Sequence, residues 1–272
     1  MFSIGAKLLI KRFIAAMIKP YSSKQNRKLS IILNYHSIHP TCKFATKPDD
    51  FRQQMEYLKS NFDVVSLPDF YEMRKTQREL PDKLAMVTFD DGYEDNYEYA
   101  FPVLEKFGIK ATIFLTTGFV NGEIDITQKH ATYRGLRALK WEQVLEMRGK
   151  GVIFGAHTHT HPILTEISLE DGEREIVQSK NILGDKLGES AELFAYPLGQ
   201  PKTFNTQIME LLRKHGFKLA CSTLWGHDNG NTDIFALNRI RIDAWDTFGN
   251  FKEKVNGDWD FIKWVQILKR YL

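Results

Sequence analysis

Residues 84–92 read LAMVTFDDG. The continuous apolar run Leu84–Phe89 is the pattern of a strand buried on both faces. The turn residues Asp90, Asp91 and Gly92 end it. A strand covered on both sides belongs to a parallel sheet flanked by helices. In barrels of that kind, chemistry collects at the carboxyl ends of the strands. Other short apolar runs, and the polar residues that follow each of them, therefore decide both fold and site.

Such runs recur on both sides of this stretch. Upstream, Ser30–Tyr35 (SIILNY) predicts a strand, and Phe51, Met55 and Leu58 recur at helical spacing within a helix over 48–61. Residues 63–67 predict a strand, and 68–75 a short helix with proline at its start. Downstream, 93–107 predicts a helix ended by Gly108, 111–115 a strand, 141–148 a helix and 152–156 a strand. A Ser-x-x-Asp opening starts a long helix over 168–187. Then come a strand over 192–196, a helix over 203–215 ended by Gly216, a strand over 218–222, and helices over 246–254 and 260–271. Strand and helix alternate about seven times. The expectation is an α/β chain forming a single distorted (β/α)7-8 barrel over residues 30–272.

Composition narrows the function classes. Of 272 residues 43% are hydrophobic and 26% charged, as in a soluble globular protein. Cys42 and Cys221 have no metal-site spacing, and two cysteines exclude a disulfide scaffold. The formal charge of +3 hides a split: residues 1–48 hold nine basic and no acidic side chains, and the rest hold 28 basic against 34 acidic. An acidic body argues against a nucleic-acid partner.

Residues 1–29 form a basic leader and linker. Their longest apolar run, 13–18, is six residues, where a membrane span needs about 20. The charges lie inside the apolar stretch and no small-residue cleavage pattern follows, unlike a signal peptide. On a helical wheel Lys7, Lys11, Arg12 and Lys19 oppose Phe2, Leu9, Ile10, Phe13 and Met17. The expectation is an N-terminal amphipathic helix over residues 1–19 making peripheral contact with an anionic membrane, and a cytoplasmic location on the inner membrane face. An ordinary helix packed on the body is the alternative, and secretion stays open.

Four polar clusters follow predicted strands: Asn34-Tyr35-His36, Asp90-Asp91-Gly92, His157-Thr158-His159-Thr160-His161-Pro162, and Tyr196-Pro197-Leu198-Gly199. Asp-Asp-Gly alone is commonly a turn, and a lone histidine is commonly structural. Three of eight histidines within five residues are harder to dismiss. Gathered on one rim, two carboxylates and several imidazoles make a divalent-metal site with a base beside it. Strand alternation puts His157, His159 and His161 on one face, so all three are candidate ligands.

Thr88-Phe89-Asp90-Asp91-Gly92, His157-Thr158-x-x-His161-Pro162-x-Leu164 and Phe194-x-x-Pro197-x-Gly199, in this order, resemble the polysaccharide deacetylase family, the NodB-homology domain of carbohydrate esterase family 4. The resemblance spans about residues 30–243. It implies a NodB-type distorted barrel, a divalent metal, above all Zn2+, and removal of acetyl groups from a glycan substrate. By motif, Asp91, His157 and His161 are the implied metal ligands and Asp90 the general base. The metal lowers the pKa of water and polarises the acyl carbonyl. The third-motif turn offers the backbone N–H of Leu198 to the oxyanion.

Two departures stand out. The third motif carries Ala195-Tyr196-Pro197 where an arginine normally steadies the base; Arg239 or Arg241, in LNRIRID, can take that place from another strand. The late Leu-x-His motif that normally supplies the acid is missing. Leu33-Asn34-Tyr35-His36 instead resembles the permuted poly-N-acetylglucosamine deacetylases, which implies His36 as general acid. Tyr196 and Trp225 are candidate substrate contacts, with Trp141 and Trp245 as further aromatic surfaces, and residues 121–137 form an insertion placed to line the rim. The expected function is metal-dependent N-deacetylation of a polysaccharide or lipid-linked glycan. The alternatives are O-acetyl or formyl removal and an inactive carbohydrate-binding relative; an iron oxygenase leaves the second aspartate unexplained.

Overall fold

The computed structural model describes residues 30–76, 80–129, 135–228, 230–263 and 266. The expected leader and amphipathic helix, and the end of the helix expected over 260–271, lie outside these.

A parallel sheet dominates the chain. Its strands are β1 (Ser30–Tyr35), β2 (Asp63–Val64), β3 (Leu84–Phe89), β4 (Thr112–Leu115), β5 (Ile153–Ala156), β6 (Leu193–Ala195), β7 (Leu219–Cys221) and β8 (Ile240–Arg241). The order is β7-β6-β5-β4-β3-β1-β8, with β2 added beside β3. The predicted strand over 63–67 is shorter, Asp63–Val64; the Val65 amide still donates to Ala85 at 3.0 Å, and α2 takes over from Leu67. The short β8 went unpredicted. Leu237 bridges Cys221 of β7, and β8 pairs with β1 at Leu33 and Asn34, so the segment 237–241 curls the sheet from its last strand to its first. The result is the expected distorted (β/α) barrel.

The helices follow from local chemistry. In α1 (Pro48–Asn61), Pro48 sits at the start, Asp49 and Asp50 fall in the first turn, and Phe51, Met55 and Leu58 are buried. α2 (Leu67–Thr76) precedes β3. The helix predicted over 93–107 divides: a π-helical turn over Asn96–Ala100 precedes α3 (Phe101–Phe107). Pro102 has no N–H for the regular ladder, so the preceding turn widens. Next come α4 (Thr117–Val120), α5 (Trp141–Gly149) and α6 (Leu169–Leu187), where Ser168 accepts from the Asp171 amide. α7 (Thr206–Lys214) and α8 (Phe248–Val255) complete the set. No described helix is long and apolar enough to cross a membrane.

Alternation along the strands separates two cores. Ile32, Leu84, Met86, Phe114, Leu193, Ala195, Leu219 and Cys221 cluster inside the sheet's curl with Leu67 and Phe70 of α2. Ile31, Leu33, Ala85, Val87, Phe89, Ile113, Leu115 and Phe194 cluster with Phe51, Met55, Ile176 and Leu183 of the helices. Continuing the inner series to the strand ends gives Asn34 and His36 after Ile32, and Thr88 and Asp90 after Met86. The apolar interior thus ends in a polar layer. Cys42 and Cys221 are not joined in a disulfide, and burial pushes the Cys221 thiol up to about 12.

Candidate active site

Register assembles the site. β1 and β3 pair from Ser30↔Leu84 to Tyr35↔Phe89, and the Asp90 amide donates to the Tyr35 carbonyl at 3.0 Å. The ends of these strands therefore lie side by side, with His36 following one and Asp90 the other. The His157 amide donates to Leu115 at 3.0 Å and that of Tyr196 to Cys221 at 3.1 Å, which carries the rim around.

The turn after β3 places two aspartates differently. Asp91 has φ 77 and Gly92 φ 87. A side chain at Gly92 would be strained by its φ of 87, and its Cβ would press on Leu115 Cδ2 at 2.7 Å, so the turn favours glycine. Thr158, His161 and Leu198 also take positive φ, at 64, 57 and 59. Four such non-glycine residues around one rim mark strain held by the surrounding fold.

Asp91, His157 and His161 offer ligand atoms within 4.8 Å of one another. Asp91 Oδ1 lies 3.6 Å from His157 Nε2 and 3.5 Å from His161 Nε2. His157 Nδ1 lies 2.7 Å from the Ala195 carbonyl; that bond puts the proton on Nδ1 and leaves the Nε2 lone pair facing Asp91. Burial pushes His157 down to about 4, so it is neutral and able to ligate at neutral pH. One carboxylate and two imidazoles suit a divalent cation with positions left open, so the donor set fits a catalytic zinc.

His159 is placed elsewhere. β5 ends at Ala156, and the positive φ of Thr158 breaks the alternation that would align it with its neighbours. Its Nδ1 meets Thr117 Oγ1 at 3.0 Å, and its Nε2 meets Glu123 at 3.0 Å. The loop is pinned by a residue the sequence patterns did not single out. Glu175 of α6 accepts from the His159 amide at 2.9 Å, the Thr160 amide at 2.7 Å and the Thr160 hydroxyl at 2.7 Å.

Asp90 is held from beneath. Arg239 Nη1 donates to its Oδ1 and Nη2 to its Oδ2, both at 2.7 Å, and Asn34 Nδ2 donates to Oδ2 at 2.8 Å. Arg239 Nε donates to the Ser222 carbonyl at 2.7 Å, tying the same guanidinium to the end of β7. Burial alone raises the Asp90 carboxyl, but the guanidinium and the nearby His157 and His36 hold it well below the usual carboxylate range. Of the two arginines considered, only Arg239 reaches Asp90. Arg241 lies half-exposed on the cavity wall and pairs with Asp243 at 2.9 Å.

One cavity of about 520 Å³ joins these groups; Asn34, His36, Asp90, Asp91, His157, His161, Leu198, Arg241, Trp225 and Trp245 line it. Burial lowers the His36 imidazole, against the pull of Asp91 and Asp90. Leu198 is 37% exposed at the cavity wall. A Cβ at Gly199 would lie 2.7 Å from the Thr223 amide, so the turn that presents Leu198 requires glycine. Ile126 of the insertion reaches the wall.

Tyr196 corrects an expectation. Like Phe194 two residues earlier, it points toward the helices: it is 0% exposed, its hydroxyl donates to the Phe235 carbonyl at 2.7 Å, and its ring stacks on Phe204 at 4.2 Å. It belongs to the core, not the cavity wall. Trp225 does line the cavity but is only 5% exposed, whereas Trp245 is 40% exposed and offers more ring face. Trp141 lies apart, donating to Asn121 at 2.9 Å.

Comparison with known proteins agrees with this geometry. A family profile described as polysaccharide deacetylase matches residues 77–220, just over half of the chain. The YxkH protein of Bacillus subtilis is 28% identical over 212 residues, 78% of this chain and 70% of its own length. The poly-beta-1,6-N-acetyl-D-glucosamine N-deacetylase of Staphylococcus aureus is 24% identical over 250 residues, 82% of each chain. The Streptococcus pyogenes deacetylase PplD, solved in complex with acetate, superimposes with a TM-score of 0.72 at 27% identity, covering 84% of this chain and 98% of its own.

Proposed function

The chain belongs to the polysaccharide deacetylase family, and we propose that it removes N-acetyl groups from amino sugars of a polysaccharide or lipid-linked glycan by metal-dependent hydrolysis, with Zn2+ as the metal. The observation that carries this is the Asp91–His157–His161 cluster beside an Asp90 clamped by Arg239, in one cavity. The S. aureus relative is named for N-deacetylation of poly-N-acetylglucosamine, and PplD was solved with acetate, the product of such a reaction. Acetate fits removal of an acetyl group, and the S. aureus relative's name supports the acetamide as the bond cleaved.

Asp91, His157 and His161 would hold the cation, which when bound lowers the pKa of water and polarises the acyl carbonyl. Asp90, kept ionised by Arg239, takes the proton of the attacking water. Because both its oxygens are fixed by Arg239 and Asn34, the base needs little reorganisation as charge moves. The Leu198 N–H at the cavity wall donates to the developing oxyanion. His36, which lines the same cavity, gives its proton to the departing amine.

The acid-free basic leader supports a further proposal, that residues 1–19 hold the enzyme at an anionic membrane face near lipid-linked glycan. Zinc analysis of the purified protein, followed by acetate release from N-acetylglucosamine oligomers and lipid-linked substrates, tests the function. Bound zinc and chelator-sensitive acetate release are expected. Full activity without metal, or no release from any N-acetylated glycan, contradicts the proposal.

A further inference from the structure

His36 opens a short loop, residues 36–38, that leaves the end of β1. One side of the loop is tied by main-chain bonds: the Thr46 amide donates to Ser37 at 3.1 Å and the His39 amide to Thr46 at 3.0 Å. The other side is fastened by two adjacent side chains from the segment after the Asp90-Asp91-Gly92 turn. Asn96 Nδ2 donates to the His36 carbonyl at 2.9 Å. The Ser37 hydroxyl donates to Asp95 Oδ2, and the Ile38 amide to Asp95 Oδ1 at 3.2 Å. Asn96 Nδ2 also donates to Asp95 Oδ1 at 3.0 Å, so the two side chains act as one clamp.

Asp95 and Asn96 are 4% and 0% exposed, and neither lines the cavity. Burying a carboxylate is costly unless its acceptors are filled. Here they are filled by Ser37 and Ile38 of the loop that carries His36, more than fifty residues away in sequence, together with Asn96. The π-helical turn begins at Asn96, and widened turns of this kind recur at functional sites.

We propose that Asp95 and Asn96 are positioning residues for His36, fixing the backbone of its loop so that the imidazole stays directed into the cavity toward Asp90 and Asp91. The inference rests on His36 being the general acid. One segment, residues 90–96, then carries the base, a metal ligand and the clamp on the acid, and the three keep a common geometry.

The test compares two substrates on zinc-loaded protein. An N-acetylglucosamine oligomer loses an amine, which needs a proton to depart; 4-nitrophenyl acetate loses a stable phenolate, which does not. His36→Ala should lower kcat on the amide roughly 100-fold and change ester hydrolysis little. Asp95→Ala and Asn96→Ala should lower amide kcat roughly 10-fold, leave ester hydrolysis within about 2-fold and keep the zinc. Asp95→Asn keeps an acceptor for Ile38 and should recover most of the loss. Should Asp95→Ala fail to fold, Ser37→Ala removes the same contact from the loop side and carries the same expectation. The clamp is refuted if these variants leave the amide reaction intact, or lower both substrates alike without recovery in Asp95→Asn, while His36→Ala stays amide-selective. If His36→Ala is not selective, the acid assignment fails and the clamp falls with it.

Discussion

Arg239→Met removes a charge from a place that water does not reach. The Arg239 and Asp90 side chains are 0% and 3% exposed. At their 2.7 Å separation two unit charges attract by about 6 kcal/mol in an effective dielectric of about 20. Desolvation of both groups offsets much of that, yet removing one partner of a buried pair costs about 3–5 kcal/mol, because the other charge stays behind. The penalty falls on Asp90, left with Asn34 as its donor at 2.8 Å. With Arg239 present, the folded carboxyl is held below its ordinary 3.8, so its stabilising contribution exists above that value and is lost only as pH falls through the depressed one. Without Arg239, burial is unopposed and lifts the folded value. An ionised Asp90 then destabilises the fold at neutral pH, and the cost shrinks as pH falls and the group protonates. Urea unfolding of metal-free wild type, Arg239→Met, Asp90→Asn and the double variant measures this. Arg239→Met should lose about 3–5 kcal/mol, with the gap widest near pH ~8 and narrower near pH ~5. The double variant should be more stable than the sum of the two losses implies, by about 2 kcal/mol. A loss under about 1 kcal/mol, or a gap that widens toward acid, would refute the buried pair as described.

Three further outcomes follow from other parts of the site. Glu175→Gln removes one of the carboxylate oxygens that hold the metal-binding loop, and zinc affinity should fall roughly 10-fold in a chelator competition; unchanged affinity contradicts the role. Tyr196→Phe should lose about 1 kcal/mol of stability with KM unchanged, whereas a raised KM would return Tyr196 to the substrate site. Deleting residues 1–28 should release the protein from anionic vesicles in a sedimentation assay without changing turnover on a soluble oligomer; undiminished vesicle binding rules out the leader as anchor.

What the sequence made legible and what it hid differ in physical kind. Leu84–Phe89 and Ser30–Tyr35 announced themselves because a strand buried on both faces is largely apolar, and each is followed by the polar residue that continues its inward series, Asp90 and His36. The Asp91–His157–His161 cluster was legible because its three residues lie within two short motifs. Arg239 was one of two candidates. The choice turned on β8, whose two residues carry no usable period, and on its pairing with β1, a contact across the whole chain. Glu175 was hidden for a related reason: on its own helix it reads as an ordinary half-buried acid, and only the fold brings it to the His159 and Thr160 amides. Tyr196 shows the opposite case. Its parity with Phe194 places it on the helix side of the strand, away from the cavity. His159 followed parity and failed, since the backbone leaves the extended conformation at Thr158.

The central claim is that Asp90 performs the proton chemistry while Asp91 and the two histidines hold the metal. Acetate release per bound zinc, measured side by side for wild type and Asp90→Asn on N-acetylglucosamine oligomers, tests it most directly. About one zinc per chain in both proteins, with turnover at least ~100-fold lower in the variant, is the predicted result. An Asp90→Asn enzyme that still releases acetate at the wild-type rate, or that loses its zinc together with its activity, would contradict it.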